Sequence, residues 1–110
     1  MRMRALSFRE MYYIYILYSE KSDLYYIGQS NDPERRVISH NTSKRTTYTS
    51  KHRPWQLVAK FEVSEKRGEA VKVEKYLKKM KDRNFIEKVI EKQNDKEWLT
   101  QLVRVPACRD

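Results

Sequence analysis

The hydrophobic positions along the chain separate short strand-like stretches from longer helix-like ones. Residues 11–18 (MYYIYILY) and 24–28 (LYYIG) are rich in aromatic and β-branched side chains, which favour a largely buried strand over a helix. Only a short polar stretch separates them, so they are predicted to pair as an antiparallel hairpin. In residues 55–63 (WQLVAKFEV), apolar residues at every second position predict a third strand with one buried face.

Helical spacing and capping residues mark the other elements. Asp32 as a cap and Pro33 in the first turn predict a helix over residues 33–41. Ser64 is the predicted cap of a longer helix that ends near residue 81. Apolar residues three and four apart then predict a third helix that ends near residue 93.

The order strand, strand, helix, strand, helix, helix predicts an α+β fold with a small, mostly antiparallel sheet and helices packed on it. A length of 110 residues allows one domain. We expect residues 1–10 to be a flexible extension and residues 11–93 to form the domain. In the C-terminal segment, residues 94–110, we expect a short docked helix, and the polar stretch 41–54 is predicted to be a long surface loop.

The charge balance of the chain favours a polyanionic partner. Lys and Arg number 24 against 15 acidic residues, which gives a formal charge of +9. A solvated basic surface is the alternative explanation. Cys108 is the only cysteine, so the chain cannot form an internal disulfide or a cysteine metal site, which fits a reducing compartment. The apolar run YYIYIL is too short to span a membrane, and we expect a cytoplasmic protein with no membrane partner.

Two pairs of residues are candidates for chemistry at one surface. Tyr15 and Tyr26 lie on neighbouring predicted strands, where their hydroxyls could converge on one face, although tyrosine is also an ordinary strand residue. Arg36 and His40 are four residues apart on a helix and point the same way. A guanidinium can bind phosphate oxygens and an imidazole can relay a proton near neutral pH, but such a pair is also common on polar helix faces.

A carboxylate at the flank of an apolar helical stripe is the most informative anomaly. Glu74 is spaced between Ala70 and Leu77. It could form an ordinary ion pair with Lys78, four residues later. Alternatively, it could face the tyrosines and hold a hard divalent cation such as Mg²⁺, which prefers carboxylate oxygen.

Basic residues mixed with aromatic ones are typical of nucleic-acid surfaces, and the same residues could also simply solubilise the protein. Tyr48 and Trp55 are interleaved with the basic residues in and after the loop, and are candidates for base stacking. The predicted nucleic-acid contacts are Lys44, Arg45, Lys51, Arg53 and, from a second cluster, Lys78.

Taken together, these motifs resemble a known family. A YIY tripeptide (13–15) is followed by a YIG tripeptide (26–28), then by DPERR (32–36), His40 and Glu74 on a later helix. This order and spacing resemble the GIY-YIG nuclease superfamily, especially its small stand-alone bacterial members related to the excision-repair incision domain. The resemblance covers residues 11–80. It implies a three-stranded antiparallel sheet flanked by helices and a metal-dependent nuclease site.

The resemblance also implies roles for individual residues. Tyr15 and Tyr26 would be the motif tyrosines, Arg36 the catalytic arginine and Glu74 the ligand of one Mg²⁺ or Mn²⁺, and His40 would assist catalysis. The expected activity is endonucleolytic cleavage of DNA, in repair or processing of structured DNA, with RNA as an alternative substrate. We expect a monomer or weak homodimer.

Two positions depart from the family pattern, and one is retained. Tyr13 stands where the first motif has glycine, and Gln29 stands where some relatives have lysine. Gly28 is retained and would permit close packing near the strand end. Two other classes of function stay open: a non-catalytic nucleic-acid-binding module, and an interaction domain with no nucleic-acid partner.

Overall fold

The computed structural model of the protein describes residues 10–107, and within them it confirms the α+β class. The predicted order of elements is also confirmed, with one further helix at the end. The strands are β1 (Tyr12–Ser19), β2 (Leu24–Ser30) and β3 (Trp55–Ser64). The helices are α1 (Pro33–Thr42), α2 (Arg67–Met80), α3 (Arg83–Glu91) and α4 (Lys96–Ala107), and a 3₁₀ turn spans Thr49–His52.

The sheet is antiparallel with the order β2-β1-β3, so β1 is the central strand. Four consecutive residues of β1, from Ile14 to Leu17, are at most 1% exposed. Adjacent strand residues point to opposite faces, and their joint burial therefore means that both faces of the sheet are covered. This explains why the segment is a continuous apolar run rather than an alternating one.

Two hydrophobic clusters fill the space on the two faces. On one face, Ile14 and Ile16 pack with buried residues of α2, α3 and α4, including Val73, Val89 and Leu102. On the other face lies a smaller cluster of Tyr15, Leu17 and Trp55, with Tyr26, Val37 and Leu57 packed against it. The second cluster lies under α1 and carries the candidate chemistry.

The expectation that β3 buries a single face is wrong. Ala59 and Phe61 belong to the larger cluster, whereas Trp55 and Leu57 contact the smaller one. The pairing explains the change, because Ile16 is opposite Ala59 while Leu17 is opposite Leu57, which leaves Val58 as an extra residue. A bulge of this kind shifts the alternation by one and sends the following side chains to the other face.

The helix starts follow local capping rules in one case and not in another. The Asp32 side chain accepts a hydrogen bond from the Arg35 backbone N–H at 3.2 Å, with Pro33 in the first turn, as predicted for α1. Ser64 does not cap α2, which begins at Arg67. Instead Ser64 remains in β3 opposite Tyr12, and its hydroxyl accepts from the Lys66 N–H at 3.0 Å.

The stretch between α1 and β3 is more ordered than the predicted surface loop. Its 3₁₀ turn buries Thr49, which is 5% exposed. The Nδ1 atom of His52, in the same turn, lies 2.7 Å from the Ser22 hydroxyl in the β1–β2 connection. Side-chain contacts therefore attach this stretch to the sheet. Of the predicted extension, only residue 10 is described, and Cys108 lies outside the described residues.

Candidate active site

Tyr15 and Gly28 are opposite each other on β1 and β2 and form the base of the site. The Tyr15 side chain is 1% exposed. Its ring lies directly over Gly28, because a Cβ at that glycine would be 2.8 Å from Tyr15 Cε2 and nearer still to Cζ and the hydroxyl oxygen. Gly28 is therefore required for the position of the tyrosine ring.

His40, near the end of α1, holds the Tyr15 hydroxyl. Its Nε2 atom is 3.0 Å from the hydroxyl oxygen, and its Nδ1 atom is 2.9 Å from Oγ1 of Thr49. Tyr26 completes the group, since its ring contacts the imidazole edge-on with centroids 5.0 Å apart. Both motif tyrosines thus contact the same histidine. The imidazole ring of His40 has a hydrogen-bond partner at each nitrogen, which fixes its orientation.

The environment of His40 keeps its ring neutral. Burial and, in the same direction, the positive charges of Arg36 and Arg53 lower the pKa of His40 to about 4. This corrects the expectation that the imidazole titrates near neutral pH. The two residues of this helix differ in exposure, because Arg36 is exposed while His40 is 8% exposed and bonded within the protein.

The Tyr15 hydroxyl is subject to opposing influences. Burial raises its pKa above the usual value for tyrosine, and the neighbouring Arg36 acts in the opposite direction through its hydrogen-bonding groups and its charge. The negative charge of Glu74 raises the pKa slightly more. Arg36 and Glu74 therefore both act on this phenol, although they come from different helices.

Glu74 fits both explanations that its sequence position allowed. Its carboxylate pairs with Lys78 Nζ at 2.7 Å, one turn later on α2, and its side chain is 20% exposed. The Lys78 ammonium in turn lies 5.1 Å from the centre of the Tyr26 ring. The ion pair thus lies beside the tyrosines rather than on a remote surface.

Glu74 offers a carboxylate ligand to a divalent cation in this position. Within residues 10–107, no three His, Cys, Asp or Glu side chains are grouped closely enough to form a metal cage. Mg²⁺ is often held by one or two carboxylates together with substrate phosphates and water. The partly exposed carboxylate of Glu74 fits that kind of site.

A cleft of about 260 Å³ opens beside these residues. Tyr26, Arg36 and His40 line it together with part of the stretch between α1 and β3. Tyr13 is not among the lining residues. Its ring is half-buried, with the Lys60 ammonium 5.8 Å from the ring centre, on the β3 side of β1.

The predicted nucleic-acid contacts differ in how exposed they are. Lys44, Arg45 and Lys51 are exposed, and Arg45 lines the cleft. Arg53 is half-buried and donates to the backbone carbonyls of His40 and Ser43, each at 2.6 Å. It therefore braces the end of α1, a role that the charge pattern did not predict.

Two further residues support the site, and a third was assigned wrongly. Thr49 orients His40, and the Asn41 side chain forms hydrogen bonds with both the backbone N–H and the C=O of Trp55, at 2.7 and 2.9 Å. Neither residue has a periodicity signal, because each acts through a contact distant in sequence. Trp55 is 4% exposed and donates its indole N–H to the Thr49 carbonyl at 2.7 Å. The expectation that it stacks on bases is wrong.

Comparison with known families agrees with this geometry. A family model described as the GIY-YIG catalytic domain matches residues 11–88. This chain belongs to the GIY-YIG family. The match includes all three strands, α1 and α2, and thus every residue of the site described above.

Small bacterial proteins are similar to this GIY-YIG domain along most of their length. The UPF0213 protein YazA of Bacillus subtilis is 38% identical over 77 residues, which is 70% of this chain and 77% of the relative. A UPF0213 protein of Listeria welshimeri is 38% identical over 73 residues, covering 66% and 80%. A third, from Staphylococcus saprophyticus, is 38% identical over 69 residues, covering 63% and 82%.

No solved structure matches this chain significantly. In the part of the chain that the structure describes, no helix has the length and apolar character needed to cross a membrane.

Proposed function

We propose that this GIY-YIG domain is a metal-dependent endonuclease that hydrolyses phosphodiester bonds in DNA, in repair or in processing of structured DNA. One observation carries the proposal: the Tyr15 hydroxyl lies 3.0 Å from Nε2 of His40 and close enough to Arg36 and Glu74 for their charges to shift its pKa. Tyrosine, a phosphate-binding cation and a carboxylate are the groups that such hydrolysis needs. RNA is the alternative substrate.

Proton transfer from the attacking water is assigned to Tyr15, with Tyr26 as the less favoured candidate. The water proton would pass to the phenolic oxygen of Tyr15 while the phenolic proton moves to Nε2 of His40. A neutral imidazole is needed for this step, and the low pKa of His40 keeps it neutral. In this arrangement Nδ1–H of His40 donates to Thr49, which holds Nε2 toward the tyrosine.

Neutralisation of the charge on the phosphate is assigned to Arg36 and to the divalent cation. Arg36 lines the cleft and is exposed, so its guanidinium can meet phosphate oxygens from solvent. Glu74 would hold one Mg²⁺ or Mn²⁺, which when bound would supply Lewis-acid neutralisation of charge on the phosphate. Lys78 would have to leave the Glu74 carboxylate, at least in part, for the cation to bind there.

A cleavage screen with matched variants tests the proposal. Single-stranded, duplex, gapped and branched DNA, and RNA, are incubated with the full chain in Mg²⁺ or Mn²⁺. We expect Glu74→Gln and Arg36→Ala each to reduce cleavage by at least about 10²-fold, the usual loss when a group that stabilises developing charge is removed. Both variants should stay folded by circular dichroism and still bind nucleic acid.

Exposed residues of the same charge supply the controls. Arg35→Ala removes an exposed arginine next to Arg36, and Glu97→Gln removes an exposed carboxylate on α4. Both should cut almost as well as the wild-type protein. Undiminished metal-dependent cutting by Glu74→Gln or Arg36→Ala, from preparations free of other nucleases, would refute the assignment. Salt-sensitive binding with no cutting in any metal would instead indicate a non-catalytic binding module.

A further inference from the structure

An exposed aromatic side chain lies at the rim of the candidate active site. Tyr48 is 55% exposed and lines the same cleft as Tyr26, Arg36 and His40. Among the described residues the other large exposed apolar side chains are Ile38 and Met80, and neither lines this cleft. The exposed side chain of Tyr48 therefore lies at the candidate active site and not on a surface remote from it.

The Tyr48 ring is held in place by its neighbours. It immediately precedes the 3₁₀ turn, and its ring centroid is 4.9 Å from that of His52, with the rings tilted by 54°. His52 is itself bonded to Ser22, and its centroid is 6.3 Å from that of the buried Trp55. An aromatic ring that is already oriented loses little conformational freedom when it binds a ligand.

The other groups around Tyr48 are suited to a nucleotide chain. Arg36, Arg45 and Arg53 line the cleft with it, and they supply positive charge for phosphates. The hydroxyl-bearing residues Ser43, Thr47 and Thr49 also line the cleft. Proteins that bind single-stranded nucleic acid without sequence preference usually combine aromatic side chains, which stack on bases, with positively charged side chains, which contact phosphates.

We propose that Tyr48 stacks on an unpaired nucleobase next to the phosphate bound at the site. The bases inside a duplex are paired and covered on both faces by their neighbours, so the base that the ring stacks on must be single-stranded or turned out of the helix. The inference rests on the proposed function and narrows its substrate to nucleic acid with at least one unstacked base.

Binding without cleavage tests this separately from catalysis. The full chain is titrated against fluorescently labelled DNA in EDTA, using a single strand, a duplex with a short gap and a blunt duplex. We expect Tyr48→Ala to weaken binding of the single strand or the gapped duplex roughly 5- to 150-fold, equivalent to about 1–3 kcal/mol. Blunt-duplex binding should change by less than about twofold, because backbone charge dominates it.

The controls separate stacking from a general surface effect. Tyr48→Phe keeps the ring and should bind nearly as the wild-type protein does, and Ile38→Ala removes an exposed apolar side chain outside the cleft and should have no effect. A loss only with the gapped duplex identifies a base at a break, and a loss only with the single strand identifies a free strand; both support the proposal.

Unchanged binding by Tyr48→Ala, or an equal loss on all three probes, overturns it. A wild-type protein that binds none of the probes overturns both proposals. A wild-type protein that shows the Tyr48 dependence but never cuts overturns only the proposed catalysis.

Discussion

Substitution of Gly28 by alanine tests the packing that underlies the site. The glycine is opposite Tyr15, whose ring occupies the space where a side chain would begin. An added methyl group would be 2.8 Å from Tyr15 Cε2 and nearer to two other ring-end atoms, which is inside van der Waals contact. The ring cannot retreat freely, because it is 1% exposed and packed in the smaller cluster under α1.

The expected loss of stability has two parts. Overpacking a close-packed site costs about 1–3 kcal/mol. Moving the ring also breaks the buried hydrogen bond to His40, which costs about 1–2 kcal/mol more when a partner is left unsatisfied. The sum is about 2–5 kcal/mol, a large part of a typical domain stability of about 5–15 kcal/mol. At about 4 °C per kcal/mol, the Tm should fall by roughly 8–20 °C.

Urea unfolding followed by tryptophan fluorescence measures this change. Gly68→Ala is the matched control, since a Cβ there meets nothing within 4 Å and the residue is in α2, where alanine is favoured by up to about 1 kcal/mol. In a Tyr15→Leu background, which lacks the ring-end atoms, Gly28→Ala should cost little. Equal stability of Gly28→Ala and the wild-type protein, or the same cost in both backgrounds, would refute the packing argument.

Three other changes follow from the contacts of the site. The pKa of His40 is lowered from its ordinary value of 6.5 to about 4, so the unfolded chain binds a proton at a higher pH than the folded protein does. The free energy of unfolding should therefore be greatest above about pH 6.5 and fall by up to about 3 kcal/mol toward pH 4. The His40→Gln variant should lack this pH dependence. Arg53→Ala should lower the free energy of unfolding by about 1–3 kcal/mol, because two backbone carbonyls lose their donor. Lys51→Ala should change the free energy of unfolding by less than about 0.5 kcal/mol and should reduce the salt dependence of DNA binding. Asn41→Ala removes the two hydrogen bonds between α1 and the backbone of Trp55 in β3. It should cost a similar 1–3 kcal/mol in the same urea titration, and more than Thr42→Ala, a change at an exposed neighbour.

Much of the fold could be predicted from local patterns. Aromatic and β-branched runs marked the strands, and Asp32 with Pro33 marked the start of α1, because these signals depend on neighbouring residues alone. The bulge that leaves Val58 as an extra residue in β3 could not be predicted in this way. It depends on how β3 pairs with β1, and pairing across strands is not encoded in either segment by itself.

The candidate site divides in the same manner. Sequence spacing alone placed Arg36 and His40 on one helix and Glu74 within reach of Lys78, since these relations are fixed by helical geometry. Only the tertiary structure decided that His40 is buried and neutral while Arg36 stays exposed, because the stretch between α1 and β3 folds over one end of the helix and brings Thr49 to the imidazole. Burial and hydrogen bonding between distant segments set protonation, so the chemical state of these residues is a property of the fold.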